Sequence, residues 1–215
     1  MILYGYFRSS ASYRVRIGLN LKGLNYESRS VHLLRNGGEQ HTAEYRRLNP
    51  LGRVPTLLDG AAALPQSLAI LEYLEERHPQ PPLLPADPVQ RARARALALT
   101  IACDIQPLQN TSTTAYLRER LGLDKDAVHT WLGHWIGQGL RAVEAMLAEW
   151  GGDGPYCLGA TASLADCCLV PQCYAARRFK QSFDELPLIA RIDAHCRAQQ
   201  AFARAAPELQ ADYEA

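Results

Sequence analysis

The sequence predicts two domains of different class. Residues 1–80 read as an α/β domain in the order βαβ–ββα, residues 81–89 as a Pro-rich linker, and residues 90–215 as an all-α domain. Three observations predict this. Short apolar runs bounded by turn residues share the first part of the chain with helical patterns. Pro79, Pro81, Pro82, Pro85 and Pro88 then fall within ten positions, a density that no helix interior accommodates. Everything after them has helical periodicity. The chain of 215 residues is long enough for two small cores.

Residues 2–7, Ile-Leu-Tyr-Gly-Tyr-Phe, make the first strand. Residues 12–22 are ambiguous by period, because Tyr13, Val15, Ile17, Leu19 and Leu21 alternate as in a strand. The ends decide for helix: Ser12 suits a cap and Lys22-Gly23 a stop. Residues 26–34 form a second strand, with Val31 and Leu33 on one face. Residues 54–60 and 61–64 form a hairpin with Asp59-Gly60 as its turn. Ser67 to Arg77 is a helix, with Leu68, Leu71 and Leu74 at spacing three beside Ile70, and Ser67 as its N-cap. Beyond the prolines, helices are predicted over 90–108, over 126–150 up to Gly151-Gly152, after the capping box Ser163-Leu164-Ala165-Asp166, and over 188–199. The Arg91, Arg93, Arg95 run reads as a solvated face.

Composition narrows the function. Hydrophobic residues make up 47% and charged residues 21%, with a net charge of +1. Such a balance gives no bulk attraction to nucleic acid or to a membrane. No charged leader precedes an apolar core at the N-terminus, and no apolar run approaches the ~20 residues of a membrane span. The cysteines, Cys103, Cys157, Cys167, Cys168, Cys173 and Cys196, form no CxxC pair and read as reduced, mostly buried thiols of a cytoplasmic protein. The histidines are scattered. No HExxH, GxSxG, GxGxxG or Walker sequence occurs, which argues against a metal or dinucleotide enzyme.

The stretch Arg8-Ser9-Ser10-Ala11-Ser12-Tyr13-Arg14-Val15-Arg16 carries the most chemical information. A strand that hands over to a helix through serines sets hydroxyls and unpaired backbone N–H groups at one point, where an anion is stabilised. A chain with such a turn and no strong nucleophile motif of its own suits a borrowed nucleophile.

The residues from Ser9 to Ile17 resemble the motif SSxSxRVRIAL of the zeta-class glutathione transferases. Asn49-Pro50 to Thr56, Gln66-Ser67-Leu68-Ala69-Ile70, Leu83-Leu84-Pro85, Ile105 to Asn110 and Ala165-Asp166 through Val170-Pro171-Gln172 resemble that class in the same order, over nearly the whole chain. The resemblance implies a thioredoxin-like domain followed by an all-helical one, the glutathione transferase fold, and a homodimer. It implies glutathione as cofactor. The implied activity is cis–trans isomerisation of a small dianionic keto acid in aromatic or tyrosine catabolism. Maleylacetoacetate is favoured over maleylpyruvate, because Thr111-Ser112 stand where some maleylpyruvate isomerases carry arginines.

The same resemblance distributes roles. Ser9 and Ser10 would lie at the glutathione sulfur, Ser9 as main donor. A thiol of ordinary pKa, about 8.5, is lowered by such surroundings. Many relatives carry Cys where this chain has Ala11, so no side-chain thiol acts there. Val54, ahead of a cis Pro55, would pair with the cofactor main chain, Gln66 and Ser67 with its γ-glutamyl end, and Gln40 with its glycyl end. Gln106, Asn110 and Ser112 match second-domain positions near the cofactor. Arg8, Arg178 and Arg177 are candidates for substrate carboxylates, although Asp184 and Glu185 are alternative partners for the last two. Arg14 and Arg16 read as structural or subunit contacts, and Ser163 and Asp166 as folding residues. Two rival functions stay open: a transferase or dehalogenase acting on α-halo acids, and a non-catalytic fold relative. The joint presence of Arg8, Ser9, Ser10, Gln66 and Ser67 argues against the latter.

Overall fold

The computed structural model describes residues 1–214. They form two units, one from Met1 to Leu83 that the chain rejoins from Ala198 onward, the other from Leu84 to Arg197. The boundary after Leu83 falls inside the stretch expected as linker, 81–89, whereas the return from Ala198 onward departs from the single helical domain expected over 90–215. The prolines up to Pro81 stay with the first unit for a physical reason. Lys22 Nζ donates to Glu75 Oε2 at 2.8 Å, to the His78 carbonyl at 2.7 Å and to the Pro81 carbonyl at 3.0 Å. Glu75 Oε2 also accepts from the Leu83 N–H at 2.8 Å. The pair is buried, and a buried pair holds only when its remaining donors and acceptors are satisfied, as they are here.

The first unit contains β1 (Ile2–Gly5), α1 (Ser10–Leu21), β2 (Glu27–Ser30), α2 (Ala43–Leu48), β3 (Thr56–Asp59), β4 (Ala62–Pro65) and α3 (Ser67–Arg77). The sheet order is β2-β1-β3-β4, with β1 parallel to β2 and antiparallel to β3. The expected βαβ–ββα order holds, with α2 added in the connection that the sequence left unassigned. Thr42 caps α2 by accepting from the Tyr45 N–H at 3.3 Å. The alternation of β1 puts Leu3 on one face with Val15 and Leu19 of α1, Leu57 of β3, and Ile70 and Leu74 of α3; these residues form the core. Tyr4 takes the other face, where its ring lies 6.2 Å from that of Tyr45. A Cβ at Gly18 would run into Leu71, so the glycine lets α1 and α3 approach closely.

Two local expectations are corrected. Helix α1 starts at Ser10, and the cap is Ser9 rather than Ser12. Ser12 is instead buried inside the first turn, where its Oγ lies 3.4 Å from the Tyr6 N–H. In the hairpin, Asp59 pairs with Ala62, so the connecting residues are Gly60 and Ala61, one place later than expected.

The second unit is all-helical: α4 (Pro88–Leu99), a π-helical stretch over Thr100–Ile105, α5 (Gln106–Gln109), α6 (Thr111–Glu119), α7 (Lys125–Trp150), α8 (Leu164–Arg178) and α9 (Pro187–Ala198). The helix expected over 90–108 is thus divided, and α6 is new. Helix α8 is the central one, buried along nearly its whole length, and packs against α4. Its capping box is present: Asp166 Oδ2 accepts from the Ser163 N–H at 2.8 Å. Gln109 and Gln172 exchange two amide hydrogen bonds, 2.8 and 3.0 Å, inside this unit. After α9 the short α10 (Gln200–Ala203) belongs to the returning segment. No helix among the described residues is long and apolar enough to cross a membrane.

Candidate active site

The sheet register gathers Arg8, Ser9, Ser10, Val54, Gln66 and Ser67 at one end of the first unit. Gly5 of β1 pairs with Ser30 of β2, and Tyr4 with Thr56 of β3, which in turn pairs with Pro65. The turn from Tyr6 to Ser9, the segment before Thr56 that contains Val54, and Gln66-Ser67 after Pro65 therefore lie at the same edge. The Val54–Pro55 bond is cis. The ladder begins only at Thr56, so the main-chain groups of Val54 are outside it.

Ser9 has extended backbone, and its Oγ accepts from the Ser12 N–H at 3.2 Å. That bond occupies a lone pair and leaves the hydroxyl proton to be donated outward. Among the described residues no acceptor faces the N–H groups of Ser10 and Ala11, and no acid lies in the first turn of α1. Ser10 and Ala11 are half-buried. Helix α3 repeats the arrangement. Its first turn has no acid, and Gln66 precedes it at φ 71° without a side-chain cap bond. Such backbone is strained for a residue other than glycine. Ser67 is the first helical residue, not the cap, and is buried; its Oγ accepts from Arg14 at 3.3 Å. Both serines thus have their oxygen engaged from within the protein and their proton available.

Arg8 is half-exposed, with its guanidinium carbon 5.9 Å from the Tyr6 ring centre and 5.7 Å from that of Phe7. Gln40 is buried. Its Nε2 donates to the Leu33 carbonyl at 3.3 Å, while its Oε1 has no hydrogen-bond partner. Arg16 donates to the Phe7 carbonyl at 2.9 Å and to the Ala205 carbonyl at 2.9 Å. Burial pulls its guanidinium down to about 10, against the raising influence of Tyr26, Tyr13, Asp212 and Glu208. Sequence reasoning gave Arg14 and Arg16 structural work in general terms. It did not foresee that Arg14 holds Ser67, or that Arg16 holds the turn before Ser9.

The remaining expected residues lie in the helical unit and are described there alone. Asn110 caps α6: its Oδ1 accepts from the Thr113 N–H at 2.9 Å and from Ser112 Oγ at 2.8 Å. Both polar groups therefore have structural work. Gln106 opens α5 directly after the π-helical stretch and is half-buried. Arg177 donates to Asp193 at 2.6 Å, a partner that the sequence did not suggest. Asp193 also receives Arg197 at 3.0 Å. Arg178 is exposed, its guanidinium 4.6 Å from the Phe179 ring centre.

Three of the chain's own thiols are poor nucleophiles. Cys157, Cys173 and Cys196 are buried, and burial, reinforced by Asp166 or Asp193, pushes all three above the ordinary thiol value. Among the described residues none of the six cysteines is in a disulfide, and only Cys103 is exposed. Two acid-free helix starts at the edge of a β2-β1-β3-β4 sheet, joined to an all-helical unit, define a class: proteins on the glutathione transferase plan.

Comparison with known proteins specifies it further. Residues 3–82 match the N-terminal domain of glutathione S-transferases. A probable maleylacetoacetate isomerase of Vibrio cholerae is 50% identical over 212 residues, covering 99% of this chain and 98% of that one. A holo maleylpyruvate isomerase, a bacterial zeta-class enzyme of solved structure, superposes with a TM-score of 0.96 at 47% identity over 100% of both chains. A maleylacetoacetate isomerase from Methylobacterium extorquens, solved with bound malonate and glutathione, gives 0.95 at 40% identity, again over 100% of both. The chain belongs to the zeta-class glutathione transferases, the family of maleylacetoacetate and maleylpyruvate isomerases.

Proposed function

We propose that the protein is a glutathione-dependent cis–trans isomerase that converts a maleyl keto acid, maleylacetoacetate first, to its fumaryl isomer. The observation that carries the reading is the pair of acid-free helix starts, each with a serine whose hydroxyl proton is unassigned, at one edge of the sheet.

The residues present fit glutathione, which is a thiol flanked by peptide groups and terminal carboxylates. Val54 offers main-chain groups outside the ladder, and Gln40 offers a buried oxygen without a partner. Gln66 and Ser67 stand at an open helix start suited to a carboxylate. When bound, glutathione supplies a thiolate that adds reversibly to the cis double bond, so that rotation becomes possible before it leaves again. Ser9 donates its hydroxyl proton toward the sulfur, with Ser10 and the first amides of α1 alongside, and this favours the thiolate. Each pKa unit of lowering corresponds to about 1.4 kcal/mol of preference for the thiolate. Arg8 holds a substrate carboxylate. Of the arginines in the helical unit, Arg178 is the candidate for an acid ligand, because Arg177 is engaged with Asp193. Gln106, Asn110 and Ser112 stay assigned to the cofactor's surroundings. We place the enzyme in the cytoplasm as a homodimer.

Maleylpyruvate is the second reading, favoured by the superposition on a maleylpyruvate isomerase. The deciding experiment follows the absorbance of each maleyl substrate with and without glutathione. Isomerisation of maleylacetoacetate that needs glutathione supports the first reading. Faster turnover of maleylpyruvate replaces it with the second, and equal rates without glutathione overturn both.

A further inference from the structure

The end of the chain reaches the turn that carries Arg8 and Ser9. Asp212 Oδ2 accepts from the Phe7 N–H at 3.0 Å and from Ser30 Oγ at 2.9 Å. The Tyr213 ring meets Phe7 edge-on, with 5.5 Å between ring centres. Glu214 takes His32 Nε2 at 3.2 Å and the guanidinium of Arg35. His32 Nδ1 accepts from the N–H groups of Leu34 and Arg35, at 3.2 and 2.8 Å, so the ring proton lies on Nε2 and points at Glu214. The contacts run consecutively along the last residues, as a strap does.

Phe7 lies two residues past the end of β1 and is 3% exposed. Its N–H has no ladder to join, and a buried unpaired N–H is costly. Asp212 satisfies it. The Phe7 carbonyl is held from the other side by Arg16, which also grips Ala205 on the returning segment. The turn is closed internally by the Ser9 N–H on the Tyr6 carbonyl at 3.0 Å. The Tyr6–Phe7 and Phe7–Arg8 peptide groups are therefore fixed by Asp212 and Arg16, neither of which belongs to that turn.

We propose that Asp212 is a positioning residue for the isomerase: by accepting the Phe7 N–H it fixes the turn that aims the Ser9 hydroxyl and the Arg8 guanidinium. The inference rests on the reading of Ser9 as the donor to the glutathione thiolate. What matters is an acceptor at this place, not the charge. Asp212→Asn retains an oxygen that accepts from Phe7 and Ser30, whereas Asp212→Ala removes it.

The test uses the full chain with Asp212→Ala and Asp212→Asn. Three quantities are measured: hydrogen exchange of the amides from Phe7 to Ala11, the pH titration of bound glutathione by thiolate absorbance, and kcat, KM and glutathione Kd. In Asp212→Ala the Phe7 and Ser9 amides are expected to exchange faster and the bound thiol to titrate at higher pH. Turnover should fall roughly tenfold with glutathione Kd nearly unchanged, since small misplacements of a reacting group carry losses of this order or more. Asp212→Asn is expected to restore all three. A chain ending at Ala211 supplies the same test if Asp212→Ala does not accumulate. Wild-type exchange and titration in Asp212→Ala overturn the proposal, as does Asp212→Asn impaired equally with Asp212→Ala. Ser9→Ala separates the two ideas: an unmoved thiol titration there refutes the donor, whereas unmoved exchange in Asp212→Ala refutes the strap.

Discussion

In the helical unit, α4, α7, α8 and α9 each begin against a carboxylate. Asp87 accepts from Gln90, Asp124 from Ala127, Asp166 from Ser163, and Glu144, reaching across from α7, accepts from Leu188 and Ile189. In the first unit, α1 and α3 begin with no acid in the first turn. A carboxylate satisfies unpaired amides and answers the helix dipole, so it is the stabilising choice. It also repels any other anion. The two units thus treat the same backbone feature differently: the helical unit closes four helix starts with carboxylates, α6 having the neutral cap Asn110, whereas α1 and α3 of the first unit have no carboxylate. A helix start without a carboxylate is informative when α4, α7, α8 and α9 of the same chain each have one.

The largest expected effect breaks the closed side. Asp166 is fully buried and accepts from the Cys157 N–H, the Ser163 N–H and Ser163 Oγ, each at 2.8 Å. Asp166→Ala orphans these donors and should cost about 3 kcal/mol or more in urea unfolding. Asp166 also predicts a pH signature. Burial raises its carboxyl above the ordinary 3.8, against the lowering influence of the bonds from Cys157 and Ser163. The folded state then holds this proton where the unfolded state has released it. Its contribution is fully present below 3.8 and is lost as pH rises through the raised folded value. The stability difference between wild type and Asp166→Asn, measured across that range, should shift against wild type as pH rises.

Breaking the open side comes next. Ser9→Ala should lower turnover roughly a hundredfold while glutathione affinity changes little, the usual scale for one lost donor to a developing anion. If Ser10→Ala alone produces that loss, the donor is Ser10. A smaller and sharper test converts the open start into a closed one. Ala11→Asp places an acid in the first turn of α1, so thermal stability should rise by about 0.5 kcal/mol while the bound thiol titrates at higher pH. A gain in stability with the thiol titration unmoved or lowered would dissolve the contrast. Smallest is Gln66→Gly, which relieves the positive φ but adds glycine's entropy cost, so it should stabilise the fold by less than about 0.5 kcal/mol while weakening glutathione binding, read by denaturation and calorimetry.

Much of this was legible in the sequence where local signals agree. Helix α3 runs over Ser67–Arg77 as its leucine spacing predicts, and α7 begins one residue from its expected start. The box Ser163–Asp166 is a local motif and reads directly. Helix α1 was less legible because residues from Ser12 to Leu19 are buried without a break, Arg14 and Arg16 included. A helix enclosed on all sides loses the polar face that makes a 3.6-residue period visible. The order of motifs pointed to Ser9, Ser10, Gln66 and Ser67, but contacts set by tertiary structure left no trace in spacing. Arg14 meets Ser67 across 53 residues, and Phe7 meets Asp212 across 205. Arg177 illustrates the converse: its place beside Arg178 suggested substrate, and only the fold shows Asp193 beside it.

The return of the chain from Ala198 onward to the first unit also bears on biosynthesis. The helical unit is one uninterrupted stretch and can close while translation continues. The first unit is discontinuous. The turn from Tyr6 to Ser9 is synthesised about 200 residues before the Ala205 carbonyl that Arg16 holds and the Asp212 carboxylate that accepts from Phe7. N-terminal-first folding of domains is therefore reversed at this one point. The turn from Tyr6 to Ser9 acquires these two contacts only after Ala205 and Asp212 have been synthesised.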